Sequence, residues 1–263
     1  MKKIITLALL LSVGLFAQKL TIQGSTTVLP IAQAAAEAYM NNNPDADITV
    51  RGGGSGTGIA ALIDGATDIA DASRPMKDKE IKTAREKGVN PVAHIVARDG
   101  IAVVVHPDNP IKEISIEDIK AIYTGEVSRW DKVGGKGTIV VVSRDAASGT
   151  FEAFNELALN NAKLTDAALM LASNLEIART VAQTPGAIGY IGLGYLSDDV
   201  KALKVEGVMP SEATVNDNSY PLARPLFMYT NGNPKGLAKG FIDFVMSAPG
   251  QKIVKEAGFV PVK

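Results

Sequence analysis

The segment Arg144-Asp145-Ala146-Ala147-Ser148-Gly149-Thr150 carries the most specific pattern in this chain. It leaves a Val-rich run and opens an apolar run with helical spacing. A guanidinium fork matches a tetrahedral oxyanion through two parallel hydrogen bonds. The hydroxyls of Ser148 and Thr150 add donors. So do the backbone N–H groups of a helix start, where the helix dipole also favours an anion. Asp145 is a nearby carboxylate that could brace the guanidinium. Two other segments repeat the strand–loop–helix plan: Gly24-Ser25-Thr26-Thr27, and Gly52 to Gly58 with the hydroxyls of Ser55 and Thr57. A fourth, Asp68 to Pro75, places Ser73 and Arg74 at the same kind of junction. The chemistry implied is non-covalent capture of a small oxyanion by converging helix ends.

Other chemistries find little support. Gly52–Gly58 lacks the Lys-Ser/Thr ending of a P-loop and has no Gly-x-Gly-x-x-Gly register, which disfavours nucleotides. There is no cysteine, so thiolate metal sites, disulfides and a cysteine nucleophile are excluded. His94 and His106 each stand alone in Val/Ile-rich runs and read as partly buried strand residues rather than metal ligands. A net charge of −1 and 5% aromatic residues give no nucleic-acid footprint and little material for base stacking. No cofactor is implied. Any anion site must therefore work through local donors rather than the overall field.

At 263 residues the chain can form one large domain or two medium ones. Residues 1–17 read as a signal peptide: Lys2 and Lys3 precede an apolar run from Ile4 to Phe16, and cleavage falls near Ala17. The product is expected to be exported.

The elements that must position the donors alternate between strand and helix, which predicts α/β architecture with parallel sheets. Strands are expected at Lys19–Gln23, Asp47–Arg51, Thr67–Ala72, Ile139–Ser143 and Ala187–Leu193. Helices are expected at Val28–Met40, Ile59–Ile63, Lys77–Lys87, Ser115–Tyr123, Thr150–Leu159 and Leu175–Gln183. The Thr150–Leu159 helix shows Phe151, Phe154, Leu157 and Ala158 on one face. Ser115 followed by Asp118 reads as a near capping box. Leu237–Ala257 reads as two helical pieces separated by Pro249-Gly250, packed on the first domain. Val92–Val105, interrupted by Arg98-Asp99-Gly100, and Tyr220–Thr230, with Pro221 and Pro225, are too long or too irregular for ordinary strands. They are read as two crossovers at a hinge, giving domain I from 18–99 and 225–263 and domain II from 100–224.

The order Gly24-Ser25-Thr26-Thr27, Gly54-Ser55-Gly56, then Arg144-x3-Ser148-Gly149-Thr150 resembles the periplasmic phosphate-binding proteins of Pst-type ABC transporters. Ile119 to Gly125 with Arg129-Trp130, and Pro185 to Tyr190, are similar to further stretches of that family. The resemblance runs from about Lys19 to the C-terminus. It implies a type II periplasmic-binding-protein fold, two α/β domains joined by a two-crossover hinge, with inorganic phosphate in the cleft. Ser25, Thr26, Thr27 and Ser55 would bind from the first domain, and Arg144, Ser148, Gly149 and Thr150 from the second. The partner would be a membrane permease, the receptor a periplasmic monomer without catalytic activity.

One position departs from the family. Well-known members carry an aspartate that accepts the proton of hydrogen phosphate, and here Ser73 stands in its place, followed by Arg74. An ionised carboxylate repels sulfate, and a serine does not. Asp71, Asp145, a Ser73 oxygen or a carbonyl remain as acceptors, and Arg74 is expected as a ligand or nearby charge. Rival readings are the same scaffold for sulfate or molybdate and, further off, a phosphatase, which would need an activated nucleophile or metals.

Overall fold

The computed structural model describes residues 18–262; residues 1–17, read above as a signal peptide, lie outside them. In chain order the elements are β1 (Gln18–Gly24), α1 (Leu29–Asn42), β2 (Ala46–Arg51), α2 (Ser55–Ile63), β3 (Ile69–Ala72), α3 (Asp78–Glu86) and β4 (Pro91–Val105). There follow β5 (Glu113–Ile114), α4 (Ile116–Thr124), β6 (Val140–Arg144), α5 (Gly149–Leu157), β7 (Leu169–Leu171), α6 (Asn174–Gln183) and β8 (Ala187–Gly192). The chain ends with β9 (Lys201–Ala202), β10 (Lys204–Val205), α7 (Glu212–Asn216), β11 (Ala223–Asn231), α8 (Gly236–Met246) and α9 (Ala248–Glu256).

One strand organises all of this. The 15-residue β4 pairs through Pro91–Gly100 with antiparallel β11, and through Ile101–Val105 with antiparallel β8. The sheet order is β2-β1-β3-β11-β4-β8-β6-β7, so β4 is shared by two half-sheets. The pairs β1–β2, β1–β3, β6–β8 and β6–β7 are parallel, as βαβ crossovers require. Ile101 to Val105 are completely buried, as befits a strand covered on both faces.

The cores divide at the same place. Around the first half-sheet, one cluster joins Leu20, Ile22 and Ile69 to α1, α8 and α9, and another lies under α2 and α3. Around the second, the clusters draw on residues between Ile101 and Leu222, with Val260 the one addition. We call these halves the first and second lobes.

Several expectations need correction. Helix α2 begins at Ser55 rather than near Ile59, because packing of its first turn on β1 and on Ala147 overrides the low helix propensity of glycine. Leu157 is exposed on α5, where Ala153 and Phe154 face the core, as does Ala158 just past the helix end, and the Phe154 ring stacks on Tyr190 at 4.0 Å. The break between α8 and α9 falls at Ser247, whose hydroxyl caps α9, while Pro249 sits in the first turn of that helix. His106 lies just past the end of β4. Arg98-Asp99-Gly100 does not interrupt β4, which continues through it by changing partners. The Ser115–Asp118 cap forms, with Ser115 Oγ accepting from Asp118 N at 3.0 Å. Tyr39 of α1 packs edge-on against Phe241 and Phe244 of α8.

Candidate functional site

Each loop singled out above leaves a strand at the face where the lobes meet. After β1 the chain turns through Ser25, Thr26 and Thr27, all buried. Ser25 Oγ accepts from Thr27 N at 3.1 Å and from Val28 N at 3.4 Å, which shapes the entry into α1. After β2, Gly54 takes φ +95°; a side chain there would put its Cβ 2.5 Å from the carbonyl oxygen of Ala147 in the other lobe. The Gly56 N–H donates to that same carbonyl at 3.0 Å. Ser55 begins α2, and its Oγ accepts from Ser73 N at 3.0 Å and lies 3.3 Å from Ser73 Oγ.

The second lobe supplies the end of β6 and the start of α5. Ser148 caps α5, its Oγ accepting from Phe151 N at 3.1 Å. Gly149 is pressed against the first lobe: a Cβ there would lie 2.2 Å from Ser55 Oγ and 2.9 Å from Ser73 Oγ. Thr150 Oγ1 lies 2.9 Å from Thr27 Oγ1 across the junction. Asn174, at the start of α6, donates through Nδ2 to Thr26 Oγ1 and Thr27 Oγ1, both at 3.1 Å. The lobes are therefore closed on one another. The backbone N–H groups of Thr26, Ser55, Gly149 and Thr150 have no acceptor among the described residues.

Arg144 is buried at this junction, 1% exposed, although it carries a charge. Its Nε donates to Leu171 O at 3.2 Å and its Nη2 to Ala172 O at 2.7 Å, so the fork is fixed by carbonyls at the end of β7. Nη1 is buried without a partner among the described residues. Burial pushes this guanidinium's pKa down, against weaker support from Tyr190 and Asp145. Tyr190 stays protonated, its pKa raised to about 12 by burial, and its hydroxyl accepts from Arg144 N at 3.1 Å. Asp145 does not brace the guanidinium by a hydrogen bond. Its Oδ1 instead accepts from Ala147 N at 3.0 Å.

Arg74 is not directed at the other donors. Its Nη1 and Nη2 bind both carboxylate oxygens of Glu80 at 2.8 and 2.7 Å, Nη1 also donates to Pro75 O at 2.8 Å, and Nε pairs with Glu152 at 2.6 Å. Burial alone would lower its pKa, yet Glu80 and Glu152 raise it. Two carboxylates thus occupy the guanidinium that the sequence offered as a ligand.

A third buried arginine was missed. Arg224 of β11 sits directly opposite Asp99 of β4 in the strand pair joining the lobes. It donates to Asp99 Oδ2 from Nη2 at 2.8 Å and Nε at 3.1 Å. Nη1 reaches Ser73 O at 3.1 Å and Gly149 O at 3.4 Å, and Nη2 reaches Thr27 Oγ1 at 3.3 Å and Thr150 Oγ1 at 3.1 Å. The available signal was charge inside two largely apolar crossovers: Arg98-Asp99 in the first and Arg224 in the second. Asp99 Oδ1 also accepts from Leu193 N at 2.9 Å. Burial pushes the Asp99 carboxyl up, and Arg224 opposes that shift.

Asp71 is buried at the end of β3, and neither carboxylate oxygen has a hydrogen-bond partner among the described residues. Burial pushes its pKa well above the ordinary carboxylate range.

Two half-sheets that share β4, closed over helix N-termini, define the class of bilobal binding proteins. A model describing a PBP superfamily domain accordingly matches residues 16–249. The "Phosphate-binding protein PstS" of Bacillus subtilis strain 168 is 41% identical over 246 residues, covering 92% of this chain and 80% of that one. The protein of the same name from Borreliella burgdorferi is 32% identical over the whole of both chains. A Clostridium perfringens structure, assigned as a phosphate ABC transporter substrate-binding protein and solved with bound phosphate, superposes with a TM-score of 0.87. That protein is 35% identical, with 94% of this chain and 100% of that one covered. The chain belongs to the PstS family of phosphate-binding proteins.

Proposed function

We infer that this chain captures inorganic phosphate between its lobes and delivers it to the permease of a phosphate ABC transporter. The observation that carries this reading is the buried Arg144, fixed by two carbonyls with Nη1 unpaired, at a junction where α1, α2 and α5 all begin. The set we assign is Thr26, Thr27 and Ser55 from the first lobe, and Arg144, Ser148, Gly149 and Thr150 from the second. Ser25 and Ser73 shape the first wall, and Arg224 holds the two walls in register. Residues 18–99 with 225–263, and 100–224, would move as domains about the β4 and β11 crossovers.

Capture by these donors needs no covalent step, so the protein acts as a receptor rather than an enzyme. We assign it to the extracytoplasmic side as a monomer, after cleavage near Ala17. No helix among the described residues is long and apolar enough to cross a membrane. Calorimetric titration with phosphate, and with sulfate and molybdate as competitors, tests the reading. Phosphate binding that sulfate fails to displace supports it. Preference for sulfate or molybdate would reassign the receptor to that anion, which Ser73 in the acceptor position leaves open.

A further inference from the structure

Arg74, set aside as a ligand, stands at the centre of a second arrangement. It leaves β3 one residue after Ser73, and its side chain is only 6% exposed. Glu80 holds it within the first lobe through two bonds, and Glu80 Oε2 also accepts from Lys77 N at 2.8 Å at the start of α3. The guanidinium is thereby preset with Nε free to meet something else. That partner is Glu152, in the first turn of α5 in the second lobe, with Oε2 2.6 Å from Arg74 Nε and 2.7 Å from Lys77 Nζ. Glu152 lies three residues beyond Gly149, whose backbone presses on Ser55 and Ser73. The ion pair and the close approach of Gly149 therefore belong to one docking of α5 on the first lobe.

We propose that Glu152 is a positioning residue whose pairing with Arg74 and Lys77 latches the lobes closed over the anion site. This rests on the reading that closure traps the ligand. Two cations and two carboxylates cancel in the closed state. Opening would strand Glu152 apart from both cations while leaving Arg74 its bonds to Glu80. The latch favours the closed state without touching ligand, so it acts on apparent affinity through the closed fraction. A partly buried pair of this kind is screened less than one in water, but it is still weakened by salt.

The test is Glu152→Gln in the full-length protein, with Glu152→Lys as the stronger variant. Phosphate affinity of Glu152→Gln should fall about 5- to 30-fold, the range between exposed and buried ion pairs. The loss should appear in the off-rate. Its affinity should depend less steeply on salt than that of the wild type. Because the chain has no cysteine, dyes placed through Lys82→Cys and Lys163→Cys can report the distance between lobes. The closed population should shrink in Glu152→Gln and shrink further in Glu152→Lys, with and without phosphate. Wild-type affinity, off-rate and lobe distance in both variants would overturn the latch. Failure of the wild type to bind phosphate would overturn the functional reading instead, while the unliganded dye measurement would still decide the latch.

Discussion

Asp99 and Arg224 face one another across the two strands that join the lobes, with Asp99 Oδ2 receiving both Nη2 at 2.8 Å and Nε at 3.1 Å. The same guanidinium reaches Thr27 and Ser73 of one lobe and Gly149 and Thr150 of the other. Removing one partner leaves a buried charge unpaired. Arg224→Met should therefore lower unfolding free energy by about 3–5 kcal/mol. The double variant Asp99→Asn with Arg224→Met should lose less than the sum of the two single changes, and urea unfolding curves of all four proteins check this.

Arg144 retains one unpaired nitrogen because Leu171 and Ala172 hold the other two. A charge-assisted bond contributes about 1.5–3 kcal/mol. Arg144→Lys, which keeps the charge but loses the fork, should weaken phosphate binding roughly 10- to 100-fold. Arg144→Ala should cost more, and titration calorimetry reads both.

Gly149 has no room for a methyl group, since the added carbon would lie 2.2 Å from Ser55 Oγ. The clash arises between lobes rather than within one. Gly149→Ala should therefore cut phosphate affinity about tenfold or more by disfavouring closure. The melting temperature without phosphate should move far less, a contrast that thermal melts with and without ligand measure.

Asp71 makes stability depend on pH in an unusual direction. Burial holds its proton to a higher pH than in the unfolded chain, where an aspartate titrates at about 3.9. Between those two values the folded state binds more protons, so this contribution is full below about pH 3.9 and is lost as pH rises towards the folded pKa. Asp71→Asn removes the loss. It should be more stable than wild type at pH 7 by about 1–3 kcal/mol and nearly equal to it at about pH 3.5. Denaturant melts across that range check the sign. The phosphate-to-sulfate affinity ratio of the same variant tests Asp71 as the proton acceptor.

Much of the fold was legible along the chain because its signals are local. The Val-rich second half of β4, the small-residue loops after β1, β2 and β6, and the Ser115 cap all depend on neighbours within a few residues. Errors came where a distant contact decided the outcome. Leu157 follows the apolar period of its helix but faces outward, because Phe154 stacks on Tyr190. The glycines at the start of α2 look like loop until their packing against β1 and Ala147 is seen.

The sequence by itself determined the α/β alternation, the three loops rich in small hydroxyl residues, and Arg144 as the cation among them. Each is written in spacing, side-chain type and backbone freedom over a short stretch. Only the tertiary structure decided which arginine does what. Arg74 and Arg224 are equally plain in the sequence, yet carboxylates draw them into pairs: nearby Glu80 and distant Glu152 for one, distant Asp99 for the other. Arg144 meets carbonyl oxygens instead and keeps a donor to spare. A guanidinium goes where its acceptors are, and those acceptors are brought together by folding rather than by neighbouring residues.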